Sequence, residues 1–151
     1  MKLLGKFVVG GALALVAGVA VAADAGALVK AREDNFKGMG KAMKAIGEEL
    51  KAPAPAAAVL KTNAATIAQN AHRVAGMFPK GSGPESGVKT HALPAIWEKP
   101  ADFRKRADDL VAAAEGLKLA AGTGNPAAVR EAQMKVGGTC KACHQDFKAR
   151  D

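Results

Sequence analysis

Apolar residues recur at steps of three and four along four stretches of this chain, which is the pattern of amphipathic helices. Each stripe is narrow enough for its helix to share one central core with its neighbours. The pattern therefore predicts an all-α fold, an antiparallel up-and-down four-helix bundle. The stripe positions are Val29, Arg32, Phe36, Met39, Met43, Ile46 and Leu50; Leu60, Ala64, Ile67, Ala71, Val74 and Phe78; Phe103, Ala107, Leu110, Ala114 and Leu117; and Val129, Gln133, Val136, Cys140, Cys143 and Phe147.

Proline- and glycine-rich joints separate the four stretches at residues 52–55, 79–100 and 122–126. In the last joint Asn125 can cap the following helix, with Pro126 at its first position, where no amide donor is missed. The middle joint has about 20 residues, more than the roughly 12 that a compact domain usually spends on a connection. We therefore expect this joint to cover something.

The N-terminus reads as a secretory signal peptide. Lysines precede an apolar run over residues 7–21, which ends in Ala20-Val21-Ala22, a small-x-small cleavage site. Cleavage gives a signal peptide at residues 1–22 and a mature domain at 23–151. An uncleaved membrane anchor is the alternative, but the run is shorter than the roughly 20 residues that span a bilayer. We expect the mature protein in the periplasm, free of the membrane.

Composition and charge exclude some fold classes and some functions. The chain has 151 residues, of which 49% are hydrophobic but only 4% aromatic, which argues against an all-β core. The formal net charge is +8, but the lysines are spread over helix faces without aromatic interleaving, so we predict no nucleic-acid binding. The charge instead favours encounters with acidic redox partner proteins.

One motif carries chemistry. Both cysteines of the chain lie in the run Cys140-Lys141-Ala142-Cys143-His144, the spacing of c-type haem attachment. On a helix these three positions share one face, so two thioether bonds and one imidazole reach the same flat ring. A disulfide is less expected, because the βαβ setting of thioredoxin-type sites is absent. A zinc site lacks ligands, because His72 and His91 have no partner spacing.

The opposite side of the iron decides between ligand binding and simple electron transfer. Met39 and Met43 lie on the first helix and carry the thioether that electron-transfer haems use, although methionine is also a common core filler. His72 lies off the apolar stripe and is expected on the surface. His91 lies in the long joint, a poor place to fix an axial ligand.

The chain resembles the cytochrome c′ family over nearly the whole mature sequence. The resemblance rests on the C-terminal C-x-x-C-H motif, on residues 31–36 and 95–97, and on the segment 136–144 that contains the motif. It implies one covalent haem c per chain, with Cys140 and Cys143 as thioethers and His144 as the axial iron ligand. It further implies high-spin, five-coordinate iron and a homodimer.

The resemblance also assigns neighbouring residues. It implies that Phe36 blocks the distal side of the iron, where the related cytochromes c-556 place methionine. By the same comparison Arg32 contacts a haem propionate, a pairing that guanidinium geometry favours, and Glu33 takes the adjacent position. Lys148 is implied beside the proximal imidazole, and Thr90 at the haem edge.

Three functions compete for this site. The cytochrome c′ reading implies electron transfer and binding of small gases such as NO and CO. The alternative is a low-spin carrier of the cytochrome c-556 type with Met39 as the sixth ligand, which Phe36 disfavours. A haem peroxidase needs a distal acid or base, and the first helix offers only phenylalanine and methionine there, so we predict no enzymatic activity.

Overall fold

The four predicted helices are present as a bundle. The computed structural model describes the backbone of residues 16–150 and the side chains of residues 24–150. Most of the predicted signal peptide, residues 1–22, thus lies outside the described residues. The long helices are α1 (Val16–Glu49), α2 (Ala57–Arg73), α4 (Pro100–Gly122) and α5 (Pro126–Phe147); the short helix α3 is Ala95–Glu98, and two 3-10 turns are Val74–Met77 and Pro84–Ser86.

The long helices pack in chain order. α1 lies against α2, α2 against α4 and α4 against α5, whereas α1 makes little contact with α5. The predicted apolar stripes form the core between the four long helices, because an amphipathic helix buries its apolar face. Its completely buried apolar members include Ile46, Ile67, Leu117, Val74, Val129 and Val136. Within the described residues, no helix is both long enough and apolar enough to cross a membrane.

The joints explain where the helices begin and end. Asn125 caps α5 as predicted, since its Oδ1 accepts from the amides of Ala127 and Ala128 at 3.0 and 3.4 Å, and Pro126 follows at the first helical position. The short joint after α1 is closed by the Glu49 carboxylate, which accepts from the amide of Ala56 at 2.7 Å. Short joints of this kind make neighbouring helices antiparallel.

The long joint between α2 and α4 is tied down at several points. The indole of Trp97 donates to the carbonyls of Phe78 and Pro79, both at 3.1 Å. The middle of the joint is bonded to the C-terminal segment. The amide of Leu93 donates to the carbonyl of Phe147 at 3.0 Å, and the amide of Ala149 donates to the carbonyl of His91 at 2.8 Å. The joint, on its way from α2 to α4, therefore passes over the C-terminal end of α5.

A row of aromatic rings joins these parts. Phe103 on α4 packs edge-to-face with Phe78 at 4.8 Å and with Phe147 at 5.4 Å between ring centroids. Phe78 in turn meets Trp97 at 6.1 Å. Edge-to-face pairs at such spacings add to the burial of the rings. The row fixes the long joint and the end of α5 to the same side of the bundle.

Candidate haem site

Two hydrogen bonds between α1 and α5 set the register of the site. Arg130 donates to the carbonyl of Leu50 and Gln133 to that of Met43, both at 2.8 Å. Because the two helices are antiparallel, the Gln133 bond places residue 36 of α1 level with residue 140 of α5, and the Arg130 bond places residue 40 there. The C-x-x-C-H segment thus begins level with the α1 turn at residues 36–40, which contains Phe36 and Met39.

The two thiols of the motif face inward. Cys140 and Cys143 are half-buried, free thiols that pack against the core of the bundle. Burial raises the pKa of Cys140, and burial aided by the neighbouring thiol raises the pKa of Cys143 to about 11. His144 is more exposed, and its pKa is lowered first by loss of solvation and then by the charge of Lys148. The two thiols therefore face the apolar core in their neutral form, whereas the imidazole lies nearer to solvent.

Arg32 lies one turn before the predicted distal residue on α1 and is buried, with 4% of its surface exposed. Its Nη2 donates to the carbonyl of Ser82 at 2.7 Å, and its guanidinium lies 4.3 Å from the centroid of the Phe78 ring. Burial lowers the pKa of Arg32, and the charge of Glu85 opposes that shift to a lesser extent. The whole guanidinium is thus held inside the protein.

Two nitrogens of this guanidinium, Nε and Nη1, are buried without an acceptor among the described residues. A buried cation with unmet donors is costly unless another group supplies the acceptor. A carboxylate on a bound group would meet that need, and haem carries carboxylates. The buried donors of Arg32 and the inward thiols of α5 therefore both fit haem c.

The remaining α1 side chains differ in their surroundings. Phe36 is half-buried and packs against the core. Met39 is buried inside the core with 6% of its surface exposed. Met43 is half-buried, and its carbonyl is the one that Gln133 bonds. Phe36 and Met39 lie one turn apart near the level of the cysteines, and Phe36 is the less buried of the two.

The other predicted contacts lie around this core of the site. Glu33 is exposed and pairs with Lys37 at 3.1 Å on the outer face of α1. Thr90 is half-buried, and its hydroxyl accepts from the amide of Ala92 at 3.2 Å. Lys148 is half-buried and forms an antiparallel bridge with Ala92. The roles of these three residues toward haem stay predictions.

The remaining histidines lie elsewhere. His72 is exposed, as expected, and its Nε2 lies 3.0 Å from a carboxylate oxygen of Glu115 on α4. His91 is exposed in the long joint, where its carbonyl is bonded by Ala149. Among the residues that the structure describes, no three His, Cys, Asp or Glu side chains gather as a metal ion requires.

Sequence reasoning missed the surroundings of Arg32. Ser82, fully buried, and Phe78 hold this side chain from the long joint, about 50 residues away in sequence. The run Gly-Ser-Gly-Pro at residues 81–84 reads as an ordinary turn, so only the charged residue in the α1 stripe hinted at a buried partner. Nothing in the sequence indicated which one.

Known proteins resemble this chain in sequence and in fold. The sequence pattern that defines the family described as Cytochrome C′ matches residues 27–148. The chain is similar to a cytochrome c′ of Rhodospirillum rubrum, with 37% identity over 132 residues that cover 87% of this chain and 88% of that protein. It is also similar to a cytochrome c-556 of Agrobacterium tumefaciens, with 36% identity over 80% of this chain and 95% of that protein.

Some relatives are matched only in part. A cytochrome c-554 of Cereibacter sphaeroides is 40% identical over 75 residues, which span 50% of this chain and 56% of that protein.

Solved structures resemble the whole bundle. Cytochrome c′ from Thermochromatium tepidum superposes with a TM-score of 0.76 at 30% identity, covering 83% of this chain and 97% of that one. A variant of cytochrome c prime from Alcaligenes xylosoxidans with bound NO gives a TM-score of 0.73 at 26% identity, covering 82% and 94%. A cytochrome c′ described as showing ligand-controlled dimer dissociation gives 0.77 at 28% identity, covering 83% and 97%.

Members of this family carry covalent haem c and are not enzymes, and the cysteine pair of α5 matches their attachment motif. The family pattern, the full-length relatives and the shared bundle lead to one conclusion: the chain belongs to the cytochrome c′ family.

Proposed function

We propose that this protein holds high-spin, five-coordinate haem iron, with His144 as its one axial ligand, and that it transfers electrons and binds small gases. One observation carries the proposal. Where the resemblance implies methionine in the related cytochromes c-556, this chain has Phe36, whose side chain has no atom that ligates iron. When bound, haem c supplies an iron that exchanges one electron and binds diatomic ligands.

The residues of the chain then have separate tasks. Cys140 and Cys143 hold the group by two covalent bonds, and their inward orientation keeps it against the core. His144 provides the iron ligand from the same helix face. Phe36 fills the opposite side with an apolar ring, which excludes water and bulky ligands. A small uncharged gas remains the kind of ligand that this side accepts.

Arg32 is proposed as the contact for a haem carboxylate. Its buried Nε and Nη1 lack acceptors among residues 24–150, and a charge-assisted bond from a guanidinium to a carboxylate is among the strongest polar contacts in proteins. Because Arg32 lies one turn from Phe36 on the same stripe, one helix supplies both contacts. Glu33, Thr90 and Lys148 are proposed as weaker contacts at the rim.

A second candidate is a low-spin carrier of the cytochrome c-556 type, which the similarity to such a protein over 95% of its length favours. In this candidate Met39 would ligate the iron. Met39 is buried with 6% of its surface exposed, one turn from Phe36 on α1. The first candidate is preferred because Phe36 stands at the position where the resemblance implies methionine in cytochromes c-556.

The nature of the gas is proposed from relatives. A family member of known structure has NO bound to its ferrous form. The apolar side chain that we place over the iron suits NO and CO, because neither needs a distal hydrogen-bond donor to bind. We therefore propose NO and CO as ligands of this protein, alongside electron exchange with acidic partner proteins.

Absorption spectra of the haem-loaded protein test the proposal. We expect high-spin ferric and ferrous spectra and a change on addition of CO. The variant Phe36→Met introduces a ligating sulfur and is expected to shift toward low spin and to bind CO less. The matched variant Phe36→Leu introduces no ligand and is expected to stay high-spin. A wild-type ferrous spectrum that is low-spin and indifferent to CO would support Met39 ligation instead.

Location and assembly are proposed separately. Cleavage after Ala22 would release residues 23–151 into the periplasm, and mass spectrometry of the secreted protein tests the cleavage site. A homodimer is proposed because a cytochrome c′ of known structure dissociates from a dimer under ligand control. Analytical ultracentrifugation with and without CO tests this, and a monomer at all concentrations would contradict it.

A further inference from the structure

The loop at residues 79–85 encloses the Arg32 side chain. Ser82 within this loop is fully buried, and its carbonyl accepts from Nη2 of Arg32 at 2.7 Å. The Ser82 hydroxyl is itself engaged, because it donates to the carbonyl of Pro79 at 2.8 Å. The acceptor for Arg32 is therefore a backbone atom whose position depends on the path of the whole loop.

Trp97 fixes that path from outside. Its ring lies so close over Gly83 that a Cβ at that position would come within 2.8 Å of Cζ3 and 2.9 Å of Cη2, and would also clash with the Glu85 carboxylate. Its Nε1 bonds the carbonyls of Phe78 and Pro79. Glu85 closes the turn by accepting from the amide of Gly83 at 3.1 Å. Only glycine allows this approach.

Arginine has a long, flexible side chain, and a buried one keeps a single orientation only when fixed acceptors hold it. Here the Ser82 carbonyl and the Phe78 ring hold one end of the guanidinium, while Nε and Nη1 stay unmet. The arrangement thus fixes the cation and leaves donors for a second acceptor.

We propose that the 79–85 loop, closed by Trp97 on Gly83, positions Arg32 so that its unmet donors meet a carboxylate of the bound haem, and thereby sets the reduction potential of the protein. The inference rests on the proposed contact between Arg32 and haem. Gly83 and Trp97 act through Arg32 and are positioning residues. A cation beside a haem carboxylate offsets negative charge near the iron and so favours the reduced form.

Spectroelectrochemical titration of the haem-loaded protein tests the inference. Arg32→Gln removes the cation and is expected to lower the reduction potential. Gly83→Ala displaces Trp97 and the loop, and is expected to lower the potential in the same direction by a smaller amount. The matched control is Gly76→Ala, where a Cβ meets nothing within 4 Å. This control is expected to keep the wild-type potential.

The double variant of Arg32→Gln with Gly83→Ala separates positioning from other effects. If the loop acts through Arg32, the double variant has the potential of Arg32→Gln alone, since coupled residues are not additive. A further drop in the double variant would overturn the inference. So would a wild-type potential in Gly83→Ala, even if thermal unfolding shows that this variant is destabilised.

A milder variant guards against misfolding. Trp97→Phe keeps an aromatic ring over Gly83 but removes both indole hydrogen bonds, and it is expected to lower the potential slightly. If Gly83→Ala does not fold and Trp97→Phe keeps the wild-type reduction potential, the positioning role is rejected. An unchanged potential in Arg32→Gln would reject the contact between Arg32 and haem itself. If the Gly83 and Trp97 variants keep the wild-type potential but Arg32→Gln lowers it, the contact between Arg32 and haem is retained and only the positioning role is rejected.

Discussion

The ring of Phe103 is the link between α4, the long joint and the end of α5, and replacing it should measure the strength of that link. In Phe103→Leu most of the apolar volume remains, but two edge-to-face pairs are lost, with Phe78 at 4.8 Å and with Phe147 at 5.4 Å. Each such pair contributes about 0.5–1.5 kcal/mol beyond burial. We therefore expect a loss of about 2 kcal/mol in the free energy of unfolding.

Urea denaturation of the haem-loaded protein, followed by far-ultraviolet circular dichroism, measures this loss. With a denaturant dependence of about 2 kcal/mol per molar urea, the midpoint should fall by about 1 M. Leu119→Ala on the same helix is the control, because Leu119 is 73% exposed. That surface change should stay within about 0.5 kcal/mol of wild type.

A double-mutant cycle identifies the cause. If the ring contact matters, Phe103→Leu combined with Phe147→Leu loses less stability than the two single losses added together, by about 0.5–1.5 kcal/mol. Strict additivity would refute the edge-to-face contribution. A single Phe103→Leu variant as stable as wild type would refute the linking role of this ring altogether.

Two further predictions concern a helix cap and a surface pair. Asn125→Ala removes the acceptor for two amides of α5 and should cost about 1 kcal/mol in urea unfolding, whereas Asn125→Ser should stay close to wild type; equal loss in both would reject the capping role. The pKa of Glu115 is held below its usual value chiefly by the hydrogen bond from His72 and then by Lys118, so His72→Ala should raise that pKa in a carbon NMR titration. The bond to the charged carboxylate stabilises the fold at a pH above the usual Glu pKa. This stabilisation is lost as the pH falls through the lowered pKa of Glu115. An unchanged Glu115 titration in His72→Ala would show that the pair does not form in solution.

The helices could be predicted because their signals are local. A stripe such as Leu60, Ala64 and Ile67 follows from spacing alone, and all three residues are buried. The cap at Asn125 follows from two adjacent residues. The long joint was predicted only as a cover, since its short helix and turns depend on contacts with distant parts of the chain, such as Trp97 with Phe78.

The part of the site that could be predicted is the part formed by a short sequence motif. The spacing of Cys140, Cys143 and His144 predicts covalent haem, and the family comparison supports it. The burial of Arg32 could not be predicted, because a charged residue in an apolar stripe gains its partner only through the fold. That partner, the Ser82 carbonyl, has no side-chain signature at all.

The small contact between α1 and α5 has a consequence for how the protein forms. The extensive contacts join long helices that follow one another in sequence, so each can form as a local hairpin. Chains dominated by such local contacts fold fast. The pairing of α1 with α5 closes the longest loop and gains little contact in return, so we expect it to form last. The cysteines of α5 lie beside that late-closing boundary, so we expect them to stay open to an incoming haem until the last step of folding.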